Sequence, residues 1–320
     1  HLILTSKSEI QVKIKKSILF LLACLILPLQ AAELGYVAIK TQAPSNKEVK
    51  VHYRVPEDFK AEPGRLYRVL VLFGGRNNTG EGPAKGGMGF AEWADELQAF
   101  IVSPGFKDDD YWYPEKWSGK ALFQALKEIK KKYPICDDAL LFYGYSGGSQ
   151  CANLFPAWKP ELCCAWVSHA CGVWHKPSKK MKNIPGLVTC GEADAGRYIL
   201  SQNFVIESRK KGINILWKSF PNSPHDVPPG SVELARVFLK IHHEENINDL
   251  YPKKKSAQAS KTPRQILFVG DDQEGRFWSV GSREIQYIEP EDRVEFSSRE
   301  LAEAWGREVK SKWDKSVASK

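Results

Sequence analysis

Short apolar runs recur through the middle of the chain, and they constrain the fold more than any other feature. Val69-Leu70-Val71-Leu72-Phe73 ends in Gly74-Gly75, Phe100-Ile101-Val102 leads to Pro104-Gly105, and Ala139-Leu140-Leu141-Phe142-Tyr143 ends at Gly144. Residues 165–168, 187–189 and 213–217 continue the series. Unbroken apolar runs of this length fit strands of a parallel sheet that is covered on both faces. Helix-like spacing fills the gaps, at Leu122, Ala125, Leu126 and Ile129, and at Leu234, Val237, Phe238 and Ile241 after an expected cap at Ser231. Strand and helix in alternation predict a doubly wound α/β sheet, mostly parallel, with helices on both faces. Ligands bind at the carboxyl edge of such a sheet.

The first residues read as a targeting segment. Lys13, Lys15 and Lys16 precede a run of twelve mostly apolar residues, Ile18 to Leu29, and then Gln30-Ala31-Ala32. This order fits a signal peptide over 1–32 and is short for a membrane span. The chain opens on His1 rather than Met, so residues before about Lys13 are expected to fall outside the native product. The expected location is secreted or periplasmic, without stable membrane insertion after cleavage. Six cysteines follow the leader (Cys136, Cys151, Cys163, Cys164, Cys171, Cys190). An oxidising compartment permits disulfides, and the spacing selects no pairing. It offers no zinc-ligand pattern either. The formal charge of +8 sits largely in runs such as Lys130-Lys131-Lys132 and Lys253-Lys254-Lys255, which read as a solvated helix face and a linker. Aromatics are not interleaved with them as nucleic-acid binding would require.

The chemistry is carried by Gly144-Tyr145-Ser146-Gly147-Gly148, a G-x-S-x-G sequence between a predicted strand and a predicted helix. That context suits a nucleophile elbow, whose small residues let the backbone turn sharply and present the serine. A serine nucleophile needs a base, and the base an orienting acid. Asp194 lies 48 positions after Ser146, and His225 lies 31 after Asp194, each following a predicted strand. Both are thereby placed on the sheet edge that carries Ser146. His169, His52, His175, His242 and His243 compete as base, and Glu192 and Asp226 compete as acid. The oxyanion donors are expected to be the amide of Gly147 and amides of the Gly74-Gly75-Arg76-Asn77 loop, with Gly75 and Arg76 as the candidates.

With these residues the chain resembles the α/β-hydrolase superfamily over roughly residues 50–245. It is most similar to esterases of the polyhydroxybutyrate depolymerase, feruloyl esterase and dienelactone hydrolase kind. Tyr53-Arg54-Val55-Pro56, the Val69–Gly75 strand end, the elbow, Gly191-Glu192-Ala193-Asp194 and His225 follow in the family's order. Where the family usually has His-Gly at the oxyanion strand end, this chain has Phe73-Gly74. The resemblance implies hydrolysis of a small or polymeric carboxylic ester through an acyl-enzyme, without metal or organic cofactor. A peptidase of the prolyl oligopeptidase type and a catalytically idle binding protein are the other readings. The first lacks preceding propeller repeats, and the complete Ser-Asp-His set speaks against the second.

The hydrolase region spans 33–245, a polar Lys-rich linker 246–262, and a small β-β-α module 263–320. A hairpin is expected around Asp271–Gly275, and a helix is expected to open at the capping box Ser297-x-x-Glu300. Phe268-Val269-Gly270, Arg276-Phe277-Trp278, Ile288–Val294 and Ala302–Gly306 make the module similar to the metal-binding module of the Ada DNA-repair protein. That module binds zinc through cysteines, and 263–320 contains none. A metal-free copy and an unrelated appendage both fit. On either reading the module is expected to be separable, so that a chain ending near Glu245 would keep its fold.

Overall fold

The computed structural model describes residues 31–41, 46–76, 80–107, 110–251 and 265–309. The expected leader up to residue 30 and most of the expected linker lie outside them. Eight strands form the main sheet: β1 (Leu34–Lys40), β2 (Glu48–Arg54), β3 (Val69–Phe73), β4 (Phe100–Pro104), β5 (Leu140–Tyr145), β6 (Cys163–His169), β7 (Gly186–Gly191) and β8 (Ile215–Phe220). Their order is β1-β2-β4-β3-β5-β6-β7-β8. The β1–β2 and β2–β4 pairs are antiparallel and the rest are parallel. The helices are α1 (Glu81–Ala84), α2 (Ala91–Glu96), α3 (Gly119–Lys130), α4 (Gly147–Trp158), α5 (Ala195–Lys210), α6 (Pro229–Glu245) and α7 (Arg299–Trp305).

The apolar runs do not alternate because both faces of the central strands are covered. Every residue of β3 and β4 is buried. The two-residue period of a strand sorts these residues into two cores. Val69, Val71, Phe73, Phe100, Val102 and Phe142 pack with α3, α4 and α5. Leu70, Leu72, Ile101, Leu141 and Tyr143 face the opposite way, toward α2 and α6. Edge strand β1 alternates instead, leaving Leu34 and Tyr36 exposed. Two caps differ from expectation. Helix α6 starts at Pro229, whose ring presets the first helical turn, and Ser231 lies inside that turn with its hydroxyl donating to the Pro228 carbonyl at 2.8 Å. The α7 cap is Ser298, which accepts from the Leu301 amide, while Ser297 donates to Glu245.

The C-terminal residues form a second sheet, β9 (Phe268–Asp271), β10 (Arg276–Ser279), β11 (Arg293–Phe296) and β12 (Arg307–Glu308), in the order β11-β9-β10-β12. The expected hairpin is the β9–β10 pair. Although separate as a sheet, it shares a core with the first. Phe268, Phe277, Phe296, Leu301 and Trp305 belong to the same buried cluster as Leu234, Phe238 and Leu141. Trp305 is 1% exposed and donates its indole N–H to the Trp217 carbonyl of β8 at 2.6 Å. Arg209 of α5 meets Asp272 at 2.5 Å in a pair that is nearly buried, and it also donates to the Glu291 carbonyl. Within the stretch read as linker, Leu250 is buried and its carbonyl accepts from the Leu66 amide.

This shared core changes the outcome expected of truncation. A chain ending at Glu245 exposes Leu234, Phe238 and the Trp217 backbone, and it is expected to be insoluble or to unfold at much lower urea than the full chain. In the full chain, Trp305→Ala is expected to cost about 3–5 kcal/mol by urea denaturation. The buried His175, whose pKa burial pushes down to about 4, predicts an acid-side loss. The unfolded chain takes up a proton near pH 6.5 that the folded chain refuses until about pH 4. Stability should therefore fall as pH drops through that window, and the fall should be smaller in His175→Gln when urea midpoints at pH 7 and pH 5 are compared.

Candidate active site

Ser146 sits between β5 and α4 at φ 54° and ψ −118°, a left-handed conformation that non-glycine residues rarely adopt. The chain holds it there by close backbone packing. A Cβ on Gly144 would overlap the Gly148 carbonyl, and one on Gly148 would overlap the carbonyls of Phe73 and Gly74. The Ser146 amide donates to the His169 carbonyl at 3.0 Å, tying the turn to the end of β6.

His225 reaches the serine from the loop after β8. Its Nε2 lies 2.8 Å from Ser146 Oγ and its Nδ1 lies 2.7 Å from Asp194 Oδ2. A carboxylate only accepts, so Nδ1 carries the proton and Nε2 is left to accept from the serine. Asp194 precedes α5, is 8% exposed, and meets Arg197 through its other oxygen at 3.2 Å. The positive end of α5 favours a charged carboxylate at this position. The His225 loop crosses tightly over the end of β7, where a Cβ on Gly191 would overlap the Ser223 carbonyl. Tyr145 donates its hydroxyl to the His225 carbonyl at 2.9 Å and stacks on the imidazole at 5.2 Å between centroids.

The competing residues are engaged elsewhere. His169 is fully buried, with Nε2 2.7 Å from the Asp226 carbonyl and Nδ1 2.7 Å from Thr189 Oγ1. The carbonyl requires Nε2 to donate, so Nδ1 accepts from the threonine, and burial lowers the pKa of this neutral ring. The His169 ring thus braces the His225 loop, and its residue meets Ser146 through the backbone alone, its carbonyl accepting from the Ser146 amide. His175 packs by Asn153, and His242 pairs with Glu245. Glu192 accepts from Ser219, and Asp226 accepts from Ser223. His52 lies on β2 and His243 is buried in α6.

The oxyanion candidates lie beside the serine. Gly147 opens α4, where first-turn amides have no partner within the helix. A Cβ on Gly147 would stand 3.0 Å from the Arg76 amide nitrogen, and one on Gly75 would stand 3.9 Å from Ser146 Cβ. Buried Asn153 fixes the neighbouring loop after β6. Its amide donates to the carbonyls of Ser149 and Val173, and its oxygen accepts from the His175 amide. Trp174 stacks flat on Phe204 at 4.2 Å, so it packs rather than lines the site. The roles of Arg197 and Tyr145 are absent from the sequence reading. The only trace of them is position: Arg197 stands one helical turn after Asp194, and Tyr145 is the variable residue before the serine. The six described cysteines are free thiols. Among the described residues no group of three or more His, Cys, Asp or Glu side chains is placed to hold a metal ion.

No protein-family model matches the sequence, and no curated protein matches it. Solved structures do match. A ferulic acid esterase superposes with a TM-score of 0.52 at 16% identity, covering 67% of this chain and 96% of its own. FphF, a fluorophosphonate-binding serine hydrolase of Staphylococcus aureus, gives 0.51 at 12% identity, covering 66% and 98%. A ferulic acid esterase of the anaerobic fungus Anaeromyces mucronatus gives 0.50 at 14% identity, covering 66% and 90%. The chain has the α/β-hydrolase fold, extended by the small C-terminal sheet.

The backbone crossing under Ser146 leads to a direct test. Gly148→Ala puts a methyl into two fixed carbonyls, so the elbow must move. The variant is expected to lose both urea resistance and Ser146 reactivity, measured as the rate of labelling by a fluorophosphonate.

Proposed function

We propose that this protein is an exported serine hydrolase that cleaves carboxylic esters through an acyl-enzyme. The observation that carries the reading is the line of contacts from Ser146 Oγ to His225 Nε2 at 2.8 Å and from His225 Nδ1 to Asp194 Oδ2 at 2.7 Å. His225 takes the Ser146 proton as Oγ adds to the ester carbon. Asp194 holds the imidazole in the accepting tautomer and stabilises the imidazolium. The carbonyl π pair moves onto oxygen, where the amides of Gly147 and Arg76 receive the charge. The pair returns as the alcohol departs with the proton from His225. Water then repeats the sequence on the acyl-enzyme and releases the acid. No cofactor enters these steps. The Lys-flanked apolar leader supports export, and no described helix is long and apolar enough to cross a membrane.

Ferulic acid esterases among the proteins of similar fold make feruloyl esters the first members of a substrate panel, with p-nitrophenyl and acetyl-sugar esters beside them. Ser146→Ala is expected to abolish turnover and fluorophosphonate labelling while the protein stays folded. His225→Ala should lose several orders of magnitude in kcat, and His169→Ala should lose far less. Full activity of a folded Ser146→Ala protein would refute the assignment.

A further inference from the structure

One buried side chain at the elbow takes no part in the mechanism above. Tyr111 follows β4, is 4% exposed, and packs its ring against Phe106 at 6.3 Å and Trp112 at 5.1 Å. Its hydroxyl ends where the sequence withholds a side chain. A Cβ on Gly147 would overlap Tyr111 Oη, and the Arg76 amide nitrogen lies 3.0 Å from that same point. The hydroxyl therefore borders the two candidate oxyanion amides. Burial, Cys151 and Arg76 set its environment, and no hydrogen bond to a described residue does. A ligand oxygen at this point would give the hydroxyl an acceptor. Burial also raises the pKa of the phenol, so it keeps its proton at neutral pH and offers it to an anion.

We propose that the Tyr111 hydroxyl is a third donor to the oxyanion, beside the amides of Gly147 and Arg76, and hence a catalytic residue. This inference rests on the reading of Ser146 as the nucleophile. As Ser146 Oγ adds to the ester carbon, the carbonyl π pair becomes the oxyanion and accepts from Tyr111 O–H. As the alcohol leaves, the pair returns to the carbonyl. Tyr111 keeps its proton throughout, so no bond to it breaks. Glycine at 147 is then a requirement of the chemistry as well as of the turn, because any side chain there would displace the phenol.

The test is Tyr111→Phe in the full chain, which keeps the ring and removes the hydroxyl. Turnover of p-nitrophenyl acetate, as kcat/KM, is expected to fall on the order of ten- to a hundred-fold with an unchanged urea midpoint. The inhibition constant of phenylboronic acid, which forms a tetrahedral anion on the serine, should rise by a similar factor. Unchanged turnover overturns the inference. So does slower turnover with unchanged boronate affinity, which is the mark of ring packing alone. If the variant does not fold, the structure of the wild-type fluorophosphonate adduct decides. Tyr111 Oη is expected within about 2.7–3.1 Å of the phosphoryl oxygen, and a phenol turned away from that oxygen overturns the inference. Wild-type protein that no fluorophosphonate labels overturns the esterase reading itself, and this inference with it.

Discussion

The site depends on a backbone crossing that leaves no room for side chains. The first turn of α4 passes directly beneath the carbonyls at the end of β3, with Gly148 at the contact and Gly144 one step earlier. That contact brings the Gly74–Arg76 loop and the α4 amides to the same side of Ser146. It also forces the serine to its positive φ. Strain at one residue is sustained because β5 and its neighbours are buried on both faces and cannot relax around it.

The remaining groups arrive by strand topology. β6, β7 and β8 run parallel to β5, so the loops after them open on one edge. The end of β6 and the loops after β7 and β8 supply His169, Asp194 and His225. Of the two imidazoles only that of His225 reaches the serine hydroxyl, because the His169 ring lies between Thr189 and the Asp226 carbonyl. One histidine therefore bears on the serine while the other supports the loop that carries it.

Much of this was legible in the sequence, and the reasons are specific. The β3, β4 and β5 runs are apolar at consecutive positions because two cores claim alternate residues. Ser146, Asp194 and His225 stood out because each follows a strand in a fixed order. Helix α5 was not legible. Its buried positions include Ser201 and Ser208 beside Phe204 and Val205, so it carries no clean apolar stripe. The α7 cap fell one residue late because adjacent serines offer the same chemistry, and only the pairing of Ser297 with Glu245 separates them. An aromatic after a strand can line a cleft or only pack, and the sequence does not choose between the two for Tyr111. Its meaning depends on the empty space at Gly147, a relation across 36 positions that no local pattern records. The docking of the C-terminal sheet was hidden as well. The module was expected to be separable, whereas its Phe277 and Trp305 share a buried cluster with Leu141, Leu234 and Phe238 of the larger unit.

Trp305 meets Trp217 across 88 positions of chain, and this separation has a consequence for how the protein comes into being. A chain made from the amino end has β8 in hand long before α7 exists. Until α7 emerges, the hydrolase sheet is a two-sided structure with one side incomplete. Its strands and loops have all been delivered, yet the cover over Leu234 and Phe238 has not. Folding is thus tied to delivery of nearly the whole described chain, and a nascent copy is held short of its final state by the order of synthesis itself.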